Sequence, residues 1–173
     1  MQPQAILFDS GGTLMRPTGR SWMPGRHFEA FAAEHGICRN ADSESWAAAM
    51  HAGNTVLAGQ PVIPTTTEET ELFAQYFLIL SRSLGLPDDS ATIRLLAEET
   101  VHGKGHEEPY DGVIEALNEL QSKHYRLFLL ANGWPSLSRR YQELGLRDHF
   151  EFFVTSTQLG IKKTGSAGLP AGL

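Results

Sequence analysis

Ala5-Ile6-Leu7-Phe8-Asp9-Ser10-Gly11-Gly12-Thr13-Leu14 is the stretch that decides the fold. Its first four residues are apolar at every position, too short a run for a helix and without the alternation of a strand that has one wet face. A strand covered on both faces reads this way, and such strands belong to parallel sheets in α/β proteins. Asp9 then leaves the strand, and the chain turns at once through two glycines. In an open parallel sheet the ligand crevice lies beyond the carboxyl ends of the strands, and glycines let backbone N–H groups approach an anion closely. Asp9 is therefore a candidate nucleophile or metal ligand. The plainer alternative is that it caps a turn and that the glycines only make the bend.

Working outward, Leu127-Phe128-Leu129-Leu130-Ala131 and, more weakly, Phe152-Phe153-Val154-Thr155 are runs of the same kind. Three such strands predict a parallel sheet. Between the last two, Leu137, Tyr141 and Leu144 recur at helical spacing, with Ser136 placed as an N-cap and Gly145 where a left-handed C-terminal residue belongs. Before Leu127, a second helical stripe is formed by Val113, Leu117 and Leu120, widened by Ile114 and Ala116, with Asp111 positioned to cap its first turn. Strand and helix alternate by short connections, which predicts right-handed crossovers.

From about Arg16 to Lys104 the pattern is helical, with no convincing strand. Helices are expected to begin near Arg26, Ser43 and Ser90. A fourth follows Thr66, whose hydroxyl and Glu69 match a capping box ahead of Leu72, Phe73, Tyr76 and Leu80. This stretch reads as a helical lobe inserted between the first and second strands. Residues 164–173 carry no charge and consist mainly of Gly, Ala, Ser, Pro and Leu, the composition of an irregular tail.

Bulk properties narrow the partners. With 173 residues the protein accommodates one core and an elaboration. A net charge of -6, from 14 Lys+Arg against 20 Asp+Glu, offers no electrostatic footprint for nucleic acid or an anionic membrane. Cys38 is the only cysteine, so no disulfide forms within the molecule and a reducing compartment is implied. Met1-Gln2-Pro3-Gln4 lacks a basic leader, and no apolar run is long enough to cross a bilayer, so the expected location is the cytoplasm. Nucleotide-driven and dinucleotide chemistry are disfavoured, because neither G-x-x-x-x-G-K-[ST] nor G-x-G-x-x-G follows the first strand.

Phe8-Asp9-Ser10-Gly11-Gly12-Thr13-Leu14 resembles the first motif of the haloacid dehalogenase (HAD) superfamily. Leu129-Leu130-Ala131-Asn132-Gly133 is similar to its second motif, and Thr155-Ser156 through Gly160-Ile161-Lys162-Lys163 to the approach to its third. The resemblance covers residues 1–163, in family order and with a cap-sized gap. It implies a Rossmann-like parallel α/β sheet with an inserted α-helical cap: a discontinuous core over 1–15 and 105–163, a cap over 16–104, and the tail over 164–173. It further implies a Mg²⁺-dependent phosphomonoester phosphatase in which Asp9 attacks phosphorus and water hydrolyses the aspartyl-phosphate. Asp9 and the backbone carbonyl of Gly11 would hold the metal, while Gly12, Thr13, Asn132 and Gly133 would bind the phosphate. Lys163, with Lys162 as its alternative, would help neutralise the phosphoryl oxygens.

Three positions depart from the family pattern. Gly11 stands where most of the phosphatases carry a second aspartate that protonates the leaving group, and Ala131 stands where a hydroxyl usually meets the phosphate. Thr164 replaces a proline, and no acidic residue follows Glu151 to form the fourth motif. The resemblance therefore makes this sequence incomplete at its C-terminus, a truncated or frame-shifted product whose first strand becomes an exposed apolar edge prone to self-association. The substrate expected is a small phosphorylated or other small molecule. A 2-haloacid dehalogenase, using the same aspartate on carbon without a metal, is the enzymatic alternative. A catalytically inactive remnant or protein-binding module is the alternative of another class.

Two weaker signals remain. His102 and His106 lie four apart beside Glu107 and Glu108. A zinc site needs at least three convergent ligands, and the intervening glycines favour a cap-to-core hinge. Trp22, Trp46, Phe73, Tyr76 and Phe77 are candidates to line a pocket, with core packing the expected role for most of them.

Overall fold

The computed structural model describes residues 5–38, 43–59 and 62–160. A parallel sheet is built from β1 (Ala5–Phe8), β4 (Arg126–Ala131) and β5 (Phe152–Thr155), in the order β1-β4-β5. Ile6 lies opposite Leu127 and Phe8 opposite Leu129, and Ala131 lies opposite Thr155 in turn. β4, in the middle, alternates so that Leu127, Leu129 and Ala131 are buried. They pack on Leu117 of α5 (Val113–Ser122), on Tyr141 of α6 (Ser136–Glu143), and on Leu146 and Phe150 beyond it.

The expectation that β1 is covered on both faces is corrected. Ile6 and Phe8 are half-buried, whereas Leu7 on the opposite face is 61% exposed. β1 lies at the edge of the sheet among the described residues, and its run of four apolar residues reflects only one packed face.

Between β1 and β4 the chain leaves the sheet through β2 (Met15–Pro17) and returns through β3 (Glu107–Pro109). These two strands pair with each other antiparallel, Arg16 opposite Glu108. The outgoing and returning segments thus zip into a short ribbon beneath the inserted lobe, and Arg16 Nε donates to Glu108 across it at 2.8 Å.

The lobe is helical: α1 (Arg26–Glu34), α2 (Glu44–Ala58), α3 (Thr66–Leu84) and α4 (Ser90–His102). Its core is aromatic, with Phe28, Trp46, Phe73, Tyr76 and Phe77 in one cluster. Gly53 in α2 exists for this packing, because a Cβ there would fall 2.3 Å from Leu80 Cδ1 and 2.6 Å from Tyr76 Cε2. A short helix α7 (Ser156–Leu159) follows β5.

Local corrections concern caps and stripes. The capping box of α3 is Thr65 with Glu68, one residue earlier than Thr66 with Glu69. The triplet Thr65-Thr66-Thr67 ahead of Glu68-Glu69 offers both registers, and the later glutamate is used elsewhere. Ser136 is the first residue of α6 rather than its cap, and its hydroxyl binds a side chain of the lobe. Asp111 caps nothing in α5, whose N-cap is Gly112 at φ 82° with no side-chain bond. Ile114 and Ala116 are exposed, so the buried stripe of α5 is narrower than expected. Gly145 takes the left-handed conformation expected of it, at φ 71°.

Candidate active site

The turn after β1 is fixed by one carbonyl. Ser10 O accepts from the backbone N–H groups of Thr13, Leu14 and Met15 at 2.8–3.1 Å, which folds the chain back on itself directly beyond Asp9. Gly12 sits at φ 76°, where a side chain would be strained. Beneath the turn, the buried Ser10 hydroxyl and the buried Tyr141 hydroxyl lie 2.7 Å apart. Burial raises the Tyr141 phenol well above its ordinary range, against the opposing effect of Ser10 and with the charges of Glu107 and Asp9 adding to the rise. Tyr141 is thus a neutral hydrogen-bonding strut that anchors the Asp9 turn to α6.

The turn opens into a cleft of about 550 Å³ between the strand ends and the helical lobe. Asp9, Gly11, Gly12, Asn132 and Gly133 all line it, so the ends of β1 and β4 bring these sequence-predicted residues to one place. Thr13 is exposed on the turn and is not among the lining residues. Lys162 and Lys163 lie outside the described residues. The Asn132-Gly133 loop is braced from the next strand end, where Thr157 Oγ1 donates to Gly133 O at 2.5 Å. A slightly larger hollow of about 590 Å³ lies between α3 and α4. It holds the ion pairs Arg82–Asp88 and Arg94–Glu98, and it shares no lining residue with the cleft that holds Asp9.

The rest of the wall comes from residues that sequence reasoning did not single out as site residues, or assigned mainly to packing. Trp22 lies over Gly11, and a Cβ on Gly11 would meet its indole at 3.4 Å, an ordinary contact distance. Phe73 of α3 meets Trp134 edge to face at 5.3 Å, closing the cleft from the lobe side. Trp46, Tyr76 and Phe77 stay in the lobe's core and do not line the cleft. Arg140 pairs with Glu107 at 2.5 Å, both nearly buried, and its other terminal nitrogen donates to Thr100 O at 2.6 Å. No short motif marks these residues, because each converges from a different element.

Two sets of hydrogen bonds tie the lobe to the sheet side of the molecule. Glu69 of α3 is fully buried and accepts from the Ser136 backbone N–H at 2.8 Å and the Ser136 hydroxyl at 2.5 Å. Burial raises its carboxyl above the usual range, opposed by those two bonds and by Arg140 and Arg139. From the other side, Arg139 donates to Val101 O at 2.6 Å, so α6 supplies donors to the carbonyls at the end of α4. The spacing of Glu68 and Glu69 was visible in the sequence, but the partner of Glu69 lies 67 residues away.

His106, on the segment that leads into β3, lines the same cleft. Burial, then the nearby Arg140 charge, lowers its imidazole to about 4, so it is uncharged at neutral pH. His102, its sequence neighbour in the expected pair, is exposed on the outer face 3.4 Å from Thr70 and does not join it.

The donor chemistry near Asp9 suits a hard cation. A side-chain carboxylate and a backbone carbonyl are the oxygen ligands that Mg²⁺ accepts, with waters and substrate phosphate completing its octahedron. Asp9 and Gly11 both line the cleft.

A family model described as haloacid dehalogenase-like hydrolase matches residues 3–170. No curated protein matches the sequence. Among solved structures, a magnesium-bound HAD-hydrolase of Bacillus subtilis superposes with a TM-score of 0.61 at 18% identity, over 94% of this chain and 69% of that one. A 2-haloacid dehalogenase from Pseudomonas syringae gives 0.53 at 20% identity, over 93% and 67%. A Thermotoga maritima protein described as a beta-phosphoglucomutase gives 0.55 at 21%, over 94% and 64%. The chain therefore spans about two thirds of the length of these structures, and at such identities the likeness is one of fold: a Rossmann-like core with a helical cap. No helix among the described residues is long and apolar enough to cross a membrane.

Proposed function

Because this chain belongs to the haloacid dehalogenase-like hydrolases, we propose that it hydrolyses small phosphomonoesters through a covalent aspartyl-phosphate on Asp9. The observation that carries this reading is the convergence of Asp9, the Gly11–Gly12 turn and the Asn132–Gly133 loop on one cleft at the carboxyl ends of parallel strands. An Asp9 carboxylate oxygen attacks phosphorus as the bond to the leaving oxygen breaks. Water then attacks the same phosphorus, returning the free carboxylate and releasing inorganic phosphate. The Gly12 N–H is bonded to Met15 O at 2.9 Å, so the backbone of the Asn132–Gly133 loop is assigned to the phosphoryl oxygens, and Lys163, with Lys162 as its alternative, is assigned the balancing cation. Asp9 and the Gly11 carbonyl would hold Mg²⁺, which when bound neutralises charge on the transferring group.

Gly11 carries no proton to give, so no side chain at this position protonates the leaving oxygen. A general acid is worth about 10²–10⁴ in rate. Aryl and acyl phosphates, whose leaving groups need no protonation, are therefore the favoured substrates, and alkyl phosphates are slow ones. The test is Mg²⁺-dependent phosphate release from p-nitrophenyl phosphate and from an alkyl phosphate. A rate with no dependence on leaving-group acidity would contradict this account.

The apolar wall that Trp22 presents to Gly11 favours one second reading, displacement of halide from a 2-haloacid by the same aspartate. There Asp9 attacks carbon, halide leaves, and water hydrolyses the resulting ester at the Asp9 carbonyl carbon. Single turnover in heavy-oxygen water separates the two. Phosphoryl transfer places the solvent oxygen in phosphate, and dehalogenation places it in the Asp9 carboxylate.

A further inference from the structure

We propose that His27, Glu99 and His106 form a second metal site, selective for a borderline divalent ion such as Zn²⁺ or Co²⁺ and distinct from the Asp9 cation position. The three residues come from separate segments: α1, α4 and the strand approach after α4. Their ligand atoms all lie within 4.8 Å of one another, and each residue is half-buried. Two imidazoles and one carboxylate make the donor set of open zinc sites, in which three protein ligands leave a position for water or substrate. Imidazole ligands favour Zn²⁺, Co²⁺ or Ni²⁺ over Mg²⁺.

One ring nitrogen of His106 is fixed by the backbone. His106 Nε2 lies 2.8 Å from the Glu99 backbone carbonyl, which can only accept, so Nε2 carries the proton. The neutral ring then keeps its lone pair on Nδ1. A ligating histidine whose other N–H is fixed by a backbone carbonyl is the usual second-sphere arrangement of a metal centre. His27 Nε2 lies 3.3 Å from Glu99 Oε1 and 3.3 Å from Arg26 Nε, so an imidazole and a carboxylate already meet at this point. The Arg26 guanidinium lies beside this pair and supplies the local positive charge. A bound metal replaces it there, while Arg26 retains its bond to Lys104 O at 3.1 Å.

The rings of His27 and His106 are 4.9 Å apart, and both residues line the cleft that holds Asp9. The open coordination position therefore belongs to the cleft. An ion here cross-links two helices of the cap to the ribbon that joins it to the core, and it adds a fixed positive charge at the cleft wall.

The test uses the purified full-length protein without an affinity tag, freed of metal by chelation, and titrated with Co²⁺ alone. One equivalent is expected to bind with the visible absorption bands of an imidazole-ligated ion. His27→Gln and His106→Gln are each expected to weaken binding by at least about 10-fold. Glu99→Gln, at a side chain 41% exposed, should do so with the far-ultraviolet circular dichroism unchanged, which separates loss of a ligand from loss of fold. Asp9→Asn and His51→Gln should leave the affinity as it was. Absence of stoichiometric binding by the folded protein, or binding that survives both histidine substitutions, overturns the proposal.

Discussion

Gly11 is the residue at which the proposed phosphatase chemistry is most sharply tested. Its φ is not in the left-handed region, and a Cβ there meets Trp22 only at ordinary contact distance, so a side chain is tolerated. Gly11→Asp installs a proton donor two residues from the proposed nucleophile. The expected result is a rise of at least about 10-fold in hydrolysis of an alkyl phosphate, with little change for p-nitrophenyl phosphate, measured as kcat/KM for both. Glu69 is a different kind of residue, a buried carboxyl that serves structure. Removing it in Glu69→Ala leaves the buried Ser136 N–H and hydroxyl without their acceptor, and a loss of about 2–4 kcal/mol is expected in urea unfolding. Its pKa is raised on folding, so the native protein binds this proton more readily than the unfolded one. The contribution of Glu69 is thus fully favourable below its unfolded pKa, and is lost as pH rises through the folded value. Wild type should therefore gain stability relative to Glu69→Gln as pH falls from neutral toward 4.5. A difference between the two that does not vary with pH would contradict the assignment.

At the scale of elements, α2 and α3 meet so closely at Gly53 that helix propensity and packing point in opposite directions. Alanine is the better helix former by roughly 1 kcal/mol, but its Cβ would collide with Leu80 and Tyr76. Gly53→Ala is expected to lower stability by about 1–3 kcal/mol, read as a fall in the urea midpoint at constant m-value. What was legible in the sequence follows the same division between local and distant causes. β1, β5 and the left-handed Gly145 are set by their own residues and fell where their patterns placed them. β2 and β3 have three residues each and no periodicity, and they are strands only because segments about 90 residues apart pair beneath the lobe. The wider stripe of α5 failed because only one narrow ridge of that helix reaches the sheet. At the site, Asp9, Gly11, Gly12, Asn132 and Gly133 were readable because they follow strands within a few residues. Trp22 and Phe73, named only as aromatic candidates for a pocket, do line it, whereas the roles of Glu107, Arg140 and the partners of His106 were not readable, since convergence in space leaves no spacing in sequence.

For the molecule as a whole, the cleft depends on two bodies being held in register. Glu69–Ser136, Arg139–Val101, Arg140–Thr100 and Arg140–Glu107 connect α6, which abuts Asp9 through Tyr141, with the lobe and with the ribbon beneath it. Arg140→Ala removes one partner of a nearly buried ion pair and is expected to cost about 3–5 kcal/mol in thermal or urea unfolding. All of these contacts frame the cleft in which Asp9 is proposed to act. The most direct test of that purpose is Mg²⁺-dependent phosphate release from p-nitrophenyl phosphate by wild type and by Asp9→Asn, with the fold of both verified by circular dichroism. The account predicts turnover by wild type and a loss of at least about 10³-fold in the variant. Equal turnover by the two proteins would contradict it.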